Sequence, residues 1–143
     1  IFFQKNILMD LQIINIAANT KNDKKIKNFT HKSKYKNSLC GDQIEIRLIV
    51  KKNKIFDIGY QSHACIYCQA SASILSRLVM NKNLTNINKL INEVLEYFNR
   101  KNHFLSKETK KLENILNKKN YSRKNCILLP FKALKKALRA NYE

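Results

Sequence analysis

The stretch from position 43 to position 60 reads QIEIRLIVKKNKIFDIGY, and it decides the fold. In its first half, polar residues such as Glu45 and Arg47 alternate with apolar ones, which is the period of a half-buried strand. The apolar positions are Ile44, Ile46, Leu48 and Val50. Lys52-Asn53 then makes a turn, and residues 54–60 form the returning strand. Strands joined by so short a link are antiparallel, so the stretch predicts a β-hairpin.

The regions on either side of the hairpin supply an edge strand and helices. Residues 26–34 alternate weakly and indicate an edge strand, and residues 84–99 carry the clearest i, i+3, i+4 stripe of the chain. Further helices are predicted over residues 9–18, residues 70–80, residues 106–117 with Ser106 as N-cap and Leu112, Ile115 and Leu116 inward, and from Leu129-Pro130 to residue 138. This order predicts an α+β fold, a small three-stranded antiparallel sheet with helices packed on one face.

Length and composition bound the domain organisation. The chain has 143 residues, 44% of them hydrophobic, which is the size and apolar content of one domain. Because Met9 is a plausible start, we expect one domain over residues 9–143 and treat residues 1–8 as a non-native or disordered extension. No stretch approaches the ~20 apolar residues of a membrane span, and no signal-peptide pattern opens the chain. These features predict a cytoplasmic protein with reduced thiols and no membrane partner.

The net charge of +18 comes from 28 Lys and Arg against 10 Asp and Glu. Because the lysines are spread from end to end and accompany many Asn and Ile, they indicate the codon bias of an AT-rich genome rather than a nucleic-acid footprint. Paired carboxylates, a Ser-His-Asp set and a phosphate-binding Gly-rich loop are all lacking. Hydrolase, kinase and nucleotide-dependent activities therefore have no support, and an enzyme is the less favoured class.

Three cysteines fall at the edges of predicted elements. Cys40 precedes the first hairpin strand, Cys65 follows the second, and Cys126 precedes the last helix. The start of one hairpin strand and the end of its partner lie at the same end of a sheet, so Cys40 and Cys65 are predicted neighbours. A helix N-terminus favours the thiolate form of a cysteine. With Asp42 as an oxygen ligand, three thiolates suit tetrahedral zinc or form an incomplete thiolate set for a [2Fe–2S] cluster.

Three segments carry a family resemblance, and they occur in family order. They are Asn37-Ser38-Leu39-Cys40-Gly41-Asp42, then Ala64-Cys65-Ile66-Tyr67-Cys68-Gln69-Ala70-Ser71-Ala72-Ser73, then Arg123-Lys124-Asn125-Cys126-Ile127-Leu128-Leu129-Pro130-Phe131. They resemble the Asn-Pro-x-Cys-Gly-Asp loop, the Gly-Cys-x-x-x-x-Ala-Ser-Ala-Ser segment and the Arg-x-x-Cys ending of the U-type iron–sulfur scaffold family (IscU, SufU and the NifU N-terminal domain). Asn125 stands where the IscU branch has His, and the long stretch before Cys126 is closer to the SufU type.

The resemblance implies a SufE/NifU-like fold and a scaffold in iron–sulfur cluster assembly. It implies that Cys40, Asp42, Cys65 and Cys126 hold a transient [2Fe–2S] cluster or zinc, and that Cys126 is a candidate acceptor of persulfide sulfur. The implied partners are a cysteine desulfurase, donors of iron and electrons, and apo-proteins that receive the cluster. In the SufU branch the site resembles a zinc site used in sulfur transfer.

Several alternatives stay open from the residues alone. A zinc-bound, sulfurtransferase-like partner of a cysteine desulfurase is one alternative function, and a zinc-stabilised basic nucleic-acid-binding module is another. Cys65 and Cys68 form a Cys-x-x-Cys pair, which occurs in zinc sites and in redox motifs. We expect Cys68 to pack beside the site or to exchange as a ligand, and His63 to be a solvated loop residue. Taken alone, Cys40 is also consistent with a small buried apolar residue, and Cys126 is equally consistent with packing at a helix start.

Overall fold

The computed structural model describes residues 11–39, 41–100 and 104–140. A first helix, α1, covers residues 11–17. It is followed by strands β1 (His31–Lys36), β2 (Gln43–Lys51) and β3 (Lys54–His63), and then by helices α2 (Ile66–Val79), α3 (Leu84–Tyr97) and α4 (Lys124–Ala140). Two short 3₁₀ helices, Thr109–Leu112 and Lys118–Arg123, lie between α3 and α4. The predicted α+β class with a three-stranded antiparallel sheet is confirmed.

The hairpin of β2 and β3 forms as the alternating sequence predicts. Ile44, Ile46 and Leu48 of β2 are buried on the face that the helices cover. Lys52 and Asn53 both have positive φ, 51° and 63°, which is the backbone of a tight hairpin turn. β3 extends to His63, three residues beyond the predicted end. The sheet order is β1-β2-β3, so β2 is the central strand.

The edge strand lies later in the chain than predicted. It runs over His31–Lys36 rather than residues 26–34, because the segment before it crosses the outer face of the sheet. Ile26 is buried there and its carbonyl accepts a hydrogen bond of 3.0 Å from Arg47. Gly59 of β3 permits this crossing, since a Cβ at that position would lie 2.5 Å from the carbonyl oxygen of Lys24. The weak alternation over residues 26–30 therefore belongs to a covering segment, and only residues 31–34 of the predicted strand are in β1.

Helix α4 is the helix that joins the sheet to the other helices. It packs on β1, β2, α2 and α3, and its Phe131 and Leu134 are fully buried. The hydroxyl of Ser33 in β1 donates to the carbonyl of Ala133 and ties the helix to the edge strand. The prediction that α4 begins at Leu129-Pro130 is wrong, since it begins at Lys124 and carries Pro130 in its interior.

The predicted α-helix over residues 106–117 does not form. Its place is taken by the 3₁₀ helix Thr109–Leu112 and by turns, although Leu112, Ile115 and Leu116 are buried as expected. The Asn120 side chain donates to the carbonyls of Asn114 and Ile115, at 3.4 and 3.1 Å. Asn side chains that bond the main chain in this way compete with helical hydrogen bonding. The apolar pattern thus identified the buried residues but not the backbone that carries them.

Within the described residues, no helix combines the length and the apolar character needed to cross a bilayer. The buried apolar residues form a cluster to which the sheet and all four helices contribute. Assignment of residues 9–143 to a single domain and of residues 1–8 to an extension stays a prediction.

Candidate metal centre

Three side chains from distant parts of the chain converge at one end of the sheet. A carboxylate oxygen of Asp42 and the Sγ atoms of Cys65 and Cys126 all lie within 4.8 Å of one another. The pairing of Gln43 with His63 across β2 and β3 explains two of these positions, because Asp42 precedes one strand and Cys65 follows the other. Helix α4 brings the third residue to the same place. Cys40 lies outside the described residues.

The loop that leads into β2 is closed by main-chain and side-chain hydrogen bonds of Asn37. The Asn37 N–H donates to the Asp42 carbonyl at 2.7 Å, and the Asn37 carbonyl accepts from the Gly41 N–H at 2.9 Å. The Asn37 side-chain oxygen accepts from the Leu39 N–H at 2.9 Å, which is an Asx turn. Gly41 has a φ of 78°, a left-handed conformation that favours glycine. These bonds fix the backbone on which Asp42 is carried.

Cys65 is the N-cap residue of α2. Its backbone is extended, with φ −66° and ψ 167°, and its carbonyl accepts the first helical hydrogen bond from Gln69 at 3.1 Å. The Cys65 N–H donates to Oδ2 of Asp42 at 3.3 Å, so two members of the group are linked directly. The Gln69 side chain donates to the Ala64 carbonyl at 2.8 Å and holds the entry to the helix. The Cys65 side chain is half-buried.

Cys126 is the third residue of α4 and is only 8% exposed. The prediction that it precedes the helix is wrong in detail, but it still lies in the first turn, near the positive end of the helix. Pro130 has no N–H to donate to the Cys126 carbonyl four residues earlier. The buried hydroxyl of Ser71 in α2 donates to the next carbonyl, that of Ile127, at 2.6 Å. This bond ties the start of α4 to α2.

The second serine of the Ala-Ser-Ala-Ser segment has a similar structural role. The Ser73 hydroxyl donates to the Asn19 carbonyl at 2.8 Å and fastens the segment that follows α1. Sequence reasoning used both serines as a family signature and missed these contacts. The feature of the sequence that indicates these contacts is a small polar side chain at two positions of α2 that are buried.

Cys68 and His63 are not part of the converging group among the described residues. Cys68 is 0% exposed, as expected for a packing residue, and His63 is exposed as expected, although it is the last residue of β3 rather than a loop residue. The pKa of the Tyr60 phenol is raised mainly by burial and then by the negative charge of Asp23. At the rim of the site, the Arg123 guanidinium lies 5.3 Å from the centre of the Tyr67 ring.

The chain matches the family model of the NifU-like N terminal domain over residues 9–142. It belongs to this family. The resemblance inferred from the three cysteine segments is thereby confirmed.

Curated and solved relatives of this NifU-like domain agree with the assignment. The chain is 32% identical over 105 residues to the iron–sulfur cluster assembly scaffold protein IscU of Thermotoga maritima, covering 73% of each chain. A crystal structure from Fervidobacterium islandicum, described as a scaffold protein for the SUF system, superposes with a TM-score of 0.82 at 26% identity over 89% of this chain and 93% of that one. The N-terminal NifU-like protein of Brucella abortus has the same fold, with a TM-score of 0.82 at 18% identity over 91% of both chains.

Proposed function

We propose that this NifU-like domain is a scaffold for iron–sulfur cluster assembly, which receives sulfur and iron, holds the nascent cluster and passes it to apo-proteins. The convergence of Asp42, Cys65 and Cys126 carries the proposal, because it supplies thiolates and a carboxylate at one surface site. The relatives named as scaffolds support the same function. Cys40 is the fourth ligand in this proposal, on the strength of the Cys40-Gly41-Asp42 sequence.

The donor set fits a cargo that has to leave. Thiolates are the ligands of iron–sulfur clusters, and a carboxylate is a weaker ligand for such soft centres. A site with Asp42 in place of a fourth thiolate therefore binds a cluster more weakly, and weaker binding favours transfer of the cluster. The half-buried position of Cys65 leaves a route by which sulfur arrives and the cluster departs.

Sulfur delivery defines the partners in the proposal. A cysteine desulfurase donates sulfane sulfur to a thiolate, and Cys126 is the proposed first acceptor. Cys65 lies within the same 4.8 Å group, so a persulfide on either residue is within reach of the other thiol. Iron and electrons come from other proteins, and apo iron–sulfur proteins receive the product.

The compactness of the group favours a second candidate, a zinc-bound partner of a desulfurase. Zn–S bonds of 2.3 Å with tetrahedral angles place two sulfur atoms about 3.8 Å apart, which suits ligands all lying within 4.8 Å. A two-iron cluster instead divides its ligands into pairs at opposite ends, which requires some of them to be farther apart. In this candidate, zinc holds the ligands together until sulfur is transferred.

Metal and acid-labile sulfide analysis after anaerobic purification distinguishes these functions. Iron with equimolar sulfide, and a [2Fe–2S] absorption spectrum after reconstitution with iron and a desulfurase, supports the scaffold. One tightly held zinc, with a desulfurase rate that rises when the protein is added, supports the second candidate.

Two variants make the test specific for the site. The Cys40→Ser/Cys65→Ser double variant should hold neither cluster nor zinc, whereas Cys68→Ala, which changes the cysteine outside the converging group, should bind zinc, or a cluster reconstituted from iron and sulfide, as wild type does. If the double variant acquires the same cluster or metal as wild type, the proposed site is wrong.

A further inference from the structure

The function proposed above leaves one cysteine of the chain without a role. Cys68 is not in the converging group, yet it lies only three residues after Cys65, which belongs to that group. The family motif described above allows any residue at its position, so membership of the family does not account for it. Its place in the first turn of α2 puts a second thiol within one turn of a proposed ligand.

The two thiols differ in the way that a stepwise thiol reaction requires. Cys65 is half-buried and can be reached by an incoming sulfur donor, whereas Cys68 is 0% exposed and can be reached only from inside the protein. Cys-x-x-Cys pairs at helix N-termini are the arrangement that thiol oxidoreductases use. In this chain the start of α2 supplies that arrangement.

The backbone permits a bond between the two sulfur atoms. Residues three apart at a helix start have Cβ atoms roughly 5–6 Å apart, and a disulfide needs about 3.5–4.5 Å. Cys65 is an N-cap residue with an extended backbone, and its N–H takes no part in the hydrogen bonds of the helix. Its backbone can therefore rotate and shorten the Cβ–Cβ distance to that of a disulfide.

We propose that Cys65 and Cys68 form an internal dithiol that reduces a persulfide on Cys65 to sulfide. The inference rests on the proposed function, in that sulfane sulfur reaches the site. The Cys68 sulfur attacks Sγ of Cys65, the Cys65–Cys68 disulfide forms, and the bond from Cys65 Sγ to its outer sulfur breaks. The outer sulfur gains two electrons and leaves as hydrogen sulfide with the Cys68 proton, while the two cysteines are oxidised.

This step produces sulfide, which is the form of sulfur that cluster assembly requires. The bridging sulfur of a cluster is sulfide, whereas a desulfurase delivers sulfane sulfur, which is two electrons more oxidised. A persulfide first formed on Cys126 passes its outer sulfur to the Cys65 thiolate by exchange, since both atoms lie within 4.8 Å. An external dithiol protein of the thioredoxin class then reduces the disulfide and restores Cys65 as a ligand.

The test uses the full chain in which Cys65 and Cys68 are the only cysteines. Because the chain has four cysteines, the Cys40→Ser/Cys126→Ser variant leaves this pair alone. It is treated anaerobically with inorganic polysulfide, cleared of excess reagent, and followed by intact mass, peptide mapping and sulfide determination. We expect about one equivalent of sulfide and a Cys65–Cys68 disulfide within each chain.

The matched control adds Cys68→Ala, which leaves Cys65 as the only cysteine. It should keep the persulfide on Cys65 at least about 100-fold longer, because an internal thiol acts at a far higher effective concentration than thiols of other chains. Circular dichroism checks its fold, and Cys68→Val replaces it if the smaller side chain unfolds the protein. Equal persulfide lifetimes, a persulfide that never forms on Cys65, or disulfides only between chains would overturn the inference.

Failure of this inference can be separated from failure of the proposed function. Metal and cluster content are measured on the wild-type protein, whereas polysulfide loading bypasses both the desulfurase and the metal. A wild-type protein that holds a cluster while the dithiol variant keeps its persulfide contradicts the internal reduction alone.

Discussion

The two described cysteines of the site are presented by the starts of two different helices. Cys65 caps α2 from outside the helical ladder, is half-buried, and has a second thiol one turn behind it. Cys126 lies inside the first turn of α4, is 8% exposed, and is followed by Ile127, whose carbonyl the Ser71 hydroxyl holds. One thiol is placed where the chain can adjust, and the other is built into the packing between helices.

This difference suggests a division of labour within one small group of proposed ligands. A site that loads and releases its cargo needs at least one ligand that can leave, and it needs a fixed frame to which that ligand returns. Cys65 has the first property and Cys126 the second. The predictions below test whether the two positions differ in stability, in metal affinity or in both.

The largest effect is expected from removing either thiol. Cys65→Ser and Cys126→Ser should each weaken zinc binding by at least about 100-fold, because four ligands share roughly 10–16 kcal/mol of apparent binding free energy. The metal-free proteins should differ from each other. Cys126→Ser buries a hydroxyl and should lower the free energy of unfolding by about 1–3 kcal/mol, whereas Cys65→Ser should change it by less than about 0.5 kcal/mol.

Competition with a chromophoric chelator measures the affinities, and urea unfolding in excess chelator measures the stabilities. Equal stability of the two metal-free variants would remove the distinction between an adjustable and a fixed thiol.

A smaller effect of opposite sign is expected from Pro130→Ala. Alanine restores an N–H that can donate to the Cys126 carbonyl and removes a helix-interior proline, a difference of about 3 kcal/mol in helical preference. Part of this stabilisation is offset, because the unfolded chain with alanine has more conformational freedom and because the surrounding structure already accommodates the proline. We expect a rise of about 1–2 kcal/mol in the free energy of unfolding, together with weaker metal binding because Cys126 is displaced. Urea unfolding and chelator competition on the same protein check both effects, and a variant that gains both stability and affinity contradicts the prediction.

Ser71→Ala should lower stability by about 1 kcal/mol, since the buried Ile127 carbonyl loses a hydrogen bond. Ser73→Ala is the matched control on the same helix, because it removes a comparable bond to Asn19 on the other side of α2. Both variants should lose similar stability in urea, but only Ser71→Ala should weaken zinc binding, through the position of Cys126. An equal loss of affinity in both would mean that general destabilisation, not this contact, acts on the site.

The sequence predicts the parts of this molecule that rest on strict periodicity. The alternation over residues 43–60 identified the central hairpin, whose strand ends bring Asp42 and Cys65 together. The predicted proximity of Cys40 to Cys65 stays a prediction, because Cys40 is outside the described residues. The start of α4 was placed five residues late because Pro130 was assigned to a first turn, whereas the packing against α2 and the sheet allows it in the helix interior.

Tertiary contacts decided the elements that the sequence could not specify. The Glu93 carboxylate accepts hydrogen bonds from the Ser106 N–H and hydroxyl and from the Thr109 hydroxyl, at 3.1, 3.0 and 2.9 Å. This contact fixes the 3₁₀ region from a helix that lies earlier in the chain, so no local pattern reports it. The position of Cys126 near the other ligands likewise came from family resemblance rather than from periodicity.

The smallest effect concerns pH and tests the acid response of the fold. Burial lowers the pKa of His31 below its ordinary value of 6.5, so protonation is less favourable in the folded than in the unfolded chain. The contribution of His31 to stability is therefore complete above pH 6.5 and decreases as the pH falls below that value. His31 pairs with Leu48 on β2, away from the strand ends that carry the proposed ligands.

In metal-free protein, urea unfolding between pH 8 and pH 5 should show this loss of stability, and His31→Gln should reduce the loss. A His31→Gln variant that keeps the wild-type slope would show that the loss of stability in acid does not arise at this histidine.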